Sequence, residues 1–148
     1  MAFAFMKGRP NISIFHRATV PASTEALQLL RAAVSQPYPP GAKHPLDFNL
    51  EVVDSQLPTR DQISTIQSYL GSNAGLGAFF TSSADANSPA AVHKAATDSL
   101  DKIKWPIVVN WDDGDASIGS VQGVKDMLKK LSDKRDGAGG EKKGWFGS

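Results

Sequence analysis

The chain contains no cysteine. It can form no disulfide and has no thiol of its own, so nucleophilic sulfur chemistry within these residues is excluded. Charge of one sign is also lacking: 16 Lys and Arg stand against 15 Asp and Glu, for a net +1, which leaves no electrostatic footprint for nucleic acid. No apolar run approaches the ~20 residues of a membrane-spanning helix. The three histidines, His16, His44 and His93, show no short metal-ligand spacing. The acidic run Asp112-Asp113-Gly114-Asp115 lacks the spacing and closing glutamate of a calcium loop, so no metal site is expected. Glu25, Glu51 and the scattered aspartates show no pairing suited to acid–base catalysis, and no resident cofactor is expected.

What is present suits one domain. At 148 residues the chain can bury about 68–70% of its unfolded surface around a single core. Ile12, Ile14 and Phe15 mark a short β-branched strand beginning near Asn11. Pro21 can open a helix, because its missing N–H would be unpaired there anyway. Leu27, Leu30 and Val34 then recur with helical period to about residue 35. QPYPPGAKHPLD holds four prolines and a glycine, which neither a helix nor a central strand tolerates, so it reads as a surface insertion. Phe48, Leu50 and Val52 alternate with 49, 51 and 53 as a second strand.

Thr59 and Gln62 have capping-box spacing before a helix whose apolar face is Ile63, Ile66, Tyr69 and Leu70 and which Gly71 can end. Residues 72–88 read as a loop, with Phe79 and Phe80 pinning it to the core. Ser88-Pro89 caps a third helix predicted to reach about Ile103. PIVVNW is the clearest strand, Asp113-Gly114 a hairpin turn, DASIG the returning strand, and Val121, Val124, Leu128 and Leu131 the face of a last helix. The order β-α-β-α-α-β-β-α predicts an α/β thioredoxin-like fold, a four-stranded mixed sheet with helices on both faces. The expected organisation is an N-terminal arm over 1–10, the domain over 11–132 and a disordered basic tail over 133–148.

Three motifs carry a resemblance. ISIFHRATVPASTEALQLLR is similar to the opening of glutaredoxin-linked arsenate reductases, LPTRDQI to their Pro-Thr-Arg-Asp helix start, and WPIVVNW to their Arg-Pro-Ile-Val-Val strand. FHRATVPAST, FNLEVVDSQLPTRDQI and PIVVNWDDG resemble recurring motifs of a fungal family of small mitochondrial thioredoxin-like proteins classed as redox proteins. Together these motifs span about 12–131 in matching order.

The resemblance implies that Val20 stands where such proteins carry a nucleophilic cysteine. Arg60 matches one family arginine, whereas Trp105 and about Gly119 stand where two others would be. Arsenate reduction needs a thiolate to attack the oxyanion and arginines to hold it, so that activity is not expected. Pro106 matches the cis-proline that borders the cleft in this fold, where backbone groups can pair with an extended peptide. Trp105 would sit near that cleft, either as a recognition surface or as rim packing. The loop before Pro21 lies at a helix start, where anions are favoured, and Arg17, Thr19, Ser23 and Thr24 could add donors; ordinary capping explains the same residues.

Two functions are compatible with this reading. One is a non-catalytic module holding a peptide, protein or small anion in the old active-site groove. The other is an oxidoreductase that borrows a thiol from glutathione or a partner. The resemblance implies a mitochondrial location; otherwise a soluble intracellular protein is expected. The first 24 residues hold Lys7, Arg9 and Arg17 and no acid, which fits a targeting segment or a short uncleaved arm. Lys125, Lys129, Lys130, Lys134, Arg135, Lys142 and Lys143 make the C-terminal end basic, with four acids interleaved. Membrane attachment, through Lys142, Lys143, Trp145 and Phe146, is expected to be weak at most.

Overall fold

Strand β1 (Asn11–His16) is buried on both faces, with Ile12 and Ile14 on one and Phe15 on the other, as only an inner strand can be. In the computed structural model, which describes residues 9–70, 76–81 and 88–135, β1 lies between two neighbours. Strand β2 (Asn49–Asp54) pairs with it in parallel, from Asn11 opposite Asn49 to His16 opposite Asp54. Strand β3 (Ile107–Asn110) pairs antiparallel on the other side, and β4 (Asp115–Ile118) returns from β3 through a turn whose Gly114 has φ +68°. The strand order is β2-β1-β3-β4.

Helices cover both faces, as the sequence predicts. α1 (Pro21–Ser35) and α4 (Val121–Arg135) bury Leu30, Ala33, Val124 and Leu128 against Ile12, Ile14 and Val108. α2 (Arg60–Leu70) and α3 (Pro89–Asp98) bury Ile63, Ile66, Val92 and Ala96 against Phe15, Ile107 and Val109. The helix starts follow their signals. Thr59 donates its backbone N–H to Gln62 Oε1 (2.9 Å) while Gln62 N–H donates to Thr59 Oγ1 (3.1 Å), the reciprocal capping box. Ser88 Oγ accepts from Ala91 N–H at 3.1 Å, with Pro89 opening α3.

Three expectations need correction. α3 does not run to Ile103: it ends at Asp98, and a tight 3-10 turn (Leu100–Lys102) leads to Ile103, which bridges Phe80. Thr97, Asp98 and Ser99 have side chains that compete with the helical backbone, and Ser99 turns extended at φ −158°. β2 begins at Asn49, so Phe48 stands before it and not within it. It is an edge strand whose Val52 is exposed, and the buried Phe48 just before it makes the anchoring contact. Phe79 and Phe80 are buried as the sequence suggests, within and after a 3-10 turn at Leu76–Phe79. Gly71, at the proposed end of α2, lies outside the described residues.

The third correction concerns the domain end. α4 continues through Arg135, so residues 133–135 belong to the helix and not to a disordered tail; residues 136–148, with Lys142, Lys143, Trp145 and Phe146, lie outside the described part. Arg135 Nη1 donates to the carbonyls of Tyr38 (2.7 Å), His44 (2.9 Å) and Pro45 (3.4 Å), tying the proline-rich insertion to the helix end. Lys129, Lys130 and Lys134 pair with Asp133, Asp115 and Asp113, which cancels much of the basic character of α4. Charge-assisted bonds to carbonyls are worth about 1.5–3 kcal/mol each at most, and they share one nitrogen here. Arg135→Met is therefore expected to destabilise the fold by about 2 kcal/mol and to speed amide exchange across the 38–46 insertion, read by hydrogen–deuterium exchange. Unchanged exchange there would mean that Arg135 does not hold the insertion.

Candidate functional site

β1 and β2 are parallel, and each feeds a helix, so the starts of α1 and α2 lie at the same end of the sheet. The loop Arg17–Val20 makes the first of these connections. Val20 is the N-cap of α1 (φ −103°, ψ 115°); its carbonyl accepts from Ser23 and Thr24 N–H, and its own N–H donates to Arg17 O. Ser23 locks the loop from beneath. Fully buried, its Oγ accepts from Arg17 N–H at 2.9 Å and lies 2.6 Å from Nδ1 of the buried His16.

Opposite Val20, the chain descends from α3 and enters β3 through a cis Trp105–Pro106 bond. Val20, Ala22, Thr81, Asp101, Ile103, Lys104, Trp105 and Gly119 enclose a cleft of about 400 Å³. Hollows of similar size lie along α4. Volume does not single this one out; what does is that it brings together Val20, Trp105 and Gly119, three positions that the resemblance marks.

The remaining marked residues are distributed unevenly. Pro106 has the cis geometry the sequence suggests, but it is buried behind the wall, and its carbonyl accepts from Gly119 N–H at 2.7 Å. Trp105 is 3% exposed and donates its indole N–H to the Leu100 carbonyl (2.9 Å), so the ring is core packing with an edge on the cleft. Ser23 cannot serve as a groove donor, since its hydroxyl is turned inward and engaged. Thr24 Oγ1 reaches back to the Ala18 carbonyl at 3.5 Å, while Thr19 is exposed, and neither lines the cleft. Arg60 is exposed on the first turn of α2 and does not line it either. Arg17 is partly exposed and does not itself line the cleft, but its Nη2 lies 3.1 Å from Oδ1 of the lining Asp101.

Five lining residues carried no sequence signal for this role: Ala22, Thr81, Asp101, Ile103 and Lys104. Asp101, Ile103 and Lys104 arrive through the break at the end of α3, which the helical period conceals, and Thr81 from the segment after the Leu76–Phe79 turn. Gly119 has φ +69°, and a Cβ there would lie 2.9 Å from Lys104 Cβ, so the position where the resembling family has an arginine admits no ordinary side chain here.

The position that the resemblance gives to a cysteine offers no nucleophilic atom. Val20 ends in methyl groups, and the lining hydroxyl, Thr81, donates to the Asp101 and Lys102 carbonyls at 3.4 Å. Ser23 and His16 form a hydroxyl–imidazole pair, but burial keeps both from a substrate, so the pair is structural. Ser23→Ala leaves Arg17 N–H and the imidazole short of a partner in a buried place. A loss of about 1–3 kcal/mol in urea unfolding is expected; a loss below ~0.5 kcal/mol would show that the hydroxyl does not hold the loop.

Four-stranded sheet, flanking helices and cis-proline cleft together define a thioredoxin-like α/β protein. Among solved structures the fold is similar to an arsenate reductase from Vibrio cholerae, at 19% identity and a TM-score of 0.53, covering 84% of this chain and 99% of that one. It is also similar to the "Putative arsenate reductase from Yersinia pestis", at 19% identity and a TM-score of 0.52, covering 80% and 98%. At that identity the likeness speaks to fold alone. No curated protein matches the sequence significantly. The chain belongs to the family described as protein of unknown function (DUF1687), whose model matches residues 3–119.

Proposed function

We propose that the chain is a non-catalytic thioredoxin-like binding module that takes an extended segment of a partner protein in the cleft between Val20 and Trp105. The observation that carries this reading is the pairing of an inert side chain with free backbone. Val20 occupies the N-cap position where a thiol would stand. Trp105, across the cleft, has neither its backbone N–H nor its C=O bonded within the described chain. An extended segment can use both groups, as in strand addition, while Val20, Ala22 and Ile103 offer an apolar floor. A mitochondrial setting, and membership of the fungal thioredoxin-like group, are supported by the FHRATVPAST and PIVVNWDDG motifs and by the acid-free first 24 residues.

Ala22 lines the cleft from the first turn of α1, where a larger side chain would occupy the space. On an array of capped nine-residue peptides, the wild-type protein is expected to retain a subset that Ala22→Trp loses by at least about tenfold, with an unchanged melting curve. Retention of the same peptides by Ala22→Trp would move binding elsewhere. Glutathione-dependent disulfide exchange by the wild-type protein, free of contaminating glutaredoxin, would favour the oxidoreductase reading and overturn this one.

A further inference from the structure

The charges around the cleft do not balance. Lys104 lines it and is exposed, and no carboxylate pairs with it in the described chain, whereas Lys129, Lys130 and Lys134 on α4 each have one. Its stem does not wander freely. The glycine at 119 leaves room for it: a Cβ there would meet Lys104 Cβ at 2.9 Å and Cδ at 3.3 Å, so the aliphatic chain lies along bare backbone at the cleft wall. A lysine held in this way surrenders less freedom when it meets an anion.

The second cation is Arg17. Its guanidinium side chain is 21% exposed, against 83% for Asp101, the carboxylate it pairs with. The partners are thus unequal: Asp101 can swing into water at little cost, while Arg17 stays behind. Arg17 Nη1 is buried without an acceptor among the described residues, where Asp101 thus satisfies only part of the guanidinium. Two cations and one loosely held carboxylate leave the cleft short of one negative charge.

We infer that the segment recognised in the cleft is acidic, with an aspartate or glutamate that pairs with Lys104 and competes with Asp101 for Arg17. This rests on the groove reading above and adds the chemistry of its occupant. Lys104 is the residue that sets charge preference, and Asp101 is an internal stand-in for the ligand carboxylate. Carboxylate binding to Arg17 gains from the charge-assisted geometry that Asp101 now uses. Exposed Lys104 supplies a salt-sensitive share.

The test uses full-length protein and capped nine-residue peptides with a common apolar centre flanked by Asp and Glu, by Ser and Asn, or by Lys. At low salt the wild-type protein is expected to prefer the acidic set by at least about fivefold, the preference shrinking as salt is raised. Lys104→Glu should abolish or invert that preference, and Asp101→Asn should tighten acidic peptides severalfold. Melting curves of both variants establish that each is folded; the substituted side chains are exposed at the surface. Binding that Ala22→Trp removes but that ignores peptide charge, or that keeps its acidic preference in Lys104→Glu, overturns the acidic assignment and leaves the groove reading intact. Failure of all three peptide sets to bind overturns both.

Discussion

Wild-type protein is expected to show no thiol–disulfide exchange above buffer, and Val20→Cys to acquire a thiol that ionises below the ordinary ~8.5. Exchange proceeds through a mixed disulfide, and nothing in a chain without cysteine can form one. At position 20 a sulfur would sit at the N-cap of a fifteen-residue helix, where the helix dipole stabilises a thiolate. Two local features limit the effect. Pro21 removes one of the N–H donors at the helix start, and Asp101 partly neutralises Arg17. A modest lowering from the ordinary ~8.5 is therefore expected, and a larger one in Val20→Cys combined with Asp101→Asn. The pH dependence of iodoacetamide alkylation measures it. A thiol at or above ~8.5 in both variants would show that position 20 does not feel the helix start or Arg17.

The second large effect is expected where helix propensity argues the other way. Gly123 lies in the first turn of α4, and replacing a helical glycine by alanine ordinarily gains at most ~1 kcal/mol. Here the added Cβ would fall 2.2 Å from Ser117 Oγ and 2.9 Å from Ser117 Cβ on β4. Ser117 is buried, and its hydroxyl already donates to the Ser120 carbonyl at 3.2 Å, so rotation away sacrifices that bond. Overpacking of this kind costs about 1–3 kcal/mol, more than the propensity returns. Gly123→Ala should lower the melting temperature by several degrees. Because Ser117→Gly removes both colliding atoms, it should make the same change nearly neutral in a double-mutant cycle. A rise in melting temperature on Gly123→Ala alone would mean that α4 packs less closely on β4.

Much of the fold is legible in the sequence where local chemistry and tertiary packing agree. Ser88-Pro89, Thr59 with Gln62, and Pro21 each mark a helix start through the bonds a side chain can or cannot make nearby, and each helix begins where they indicate. β1 is legible from its alternating β-branched residues and β3 from its continuous apolar run, which suits an inner strand. The misreadings come where a longer-range contact decides. Ile103 continues the period of α3 but is taken up by the bridge to Phe80. The end of α4 is extended by carbonyls of an insertion 90 or more residues away in sequence, which no tail composition reveals.

The site divides in the same way. Val20, Trp105 and the cis-proline are legible because a motif marks each. Ser23 reads as a cap donor, yet the structure gives it a buried duty to His16 and Arg17 that depends on how β1 meets α1. Asp101 and Lys104 were hidden because only the break after α3 turns them toward Val20.

The sheet order also bears on how the chain can acquire its structure. β1 is inner, but both its neighbours come later: β2 from residue 49 and β3 from residue 107. A chain emerging from its N-terminus can at first pair β1 only with β2, with α1 across one face, a two-stranded sheet that is marginal by itself. Trp111 Nε1 donates to Ser13 Oγ across 98 positions of sequence, and Asn11 N–H to Asp112 Oδ2 across 101. Loops of that length close slowly, so although α1 can cover Ile12 and Ile14 early, the second edge of β1 gains its partner only when β3 is available.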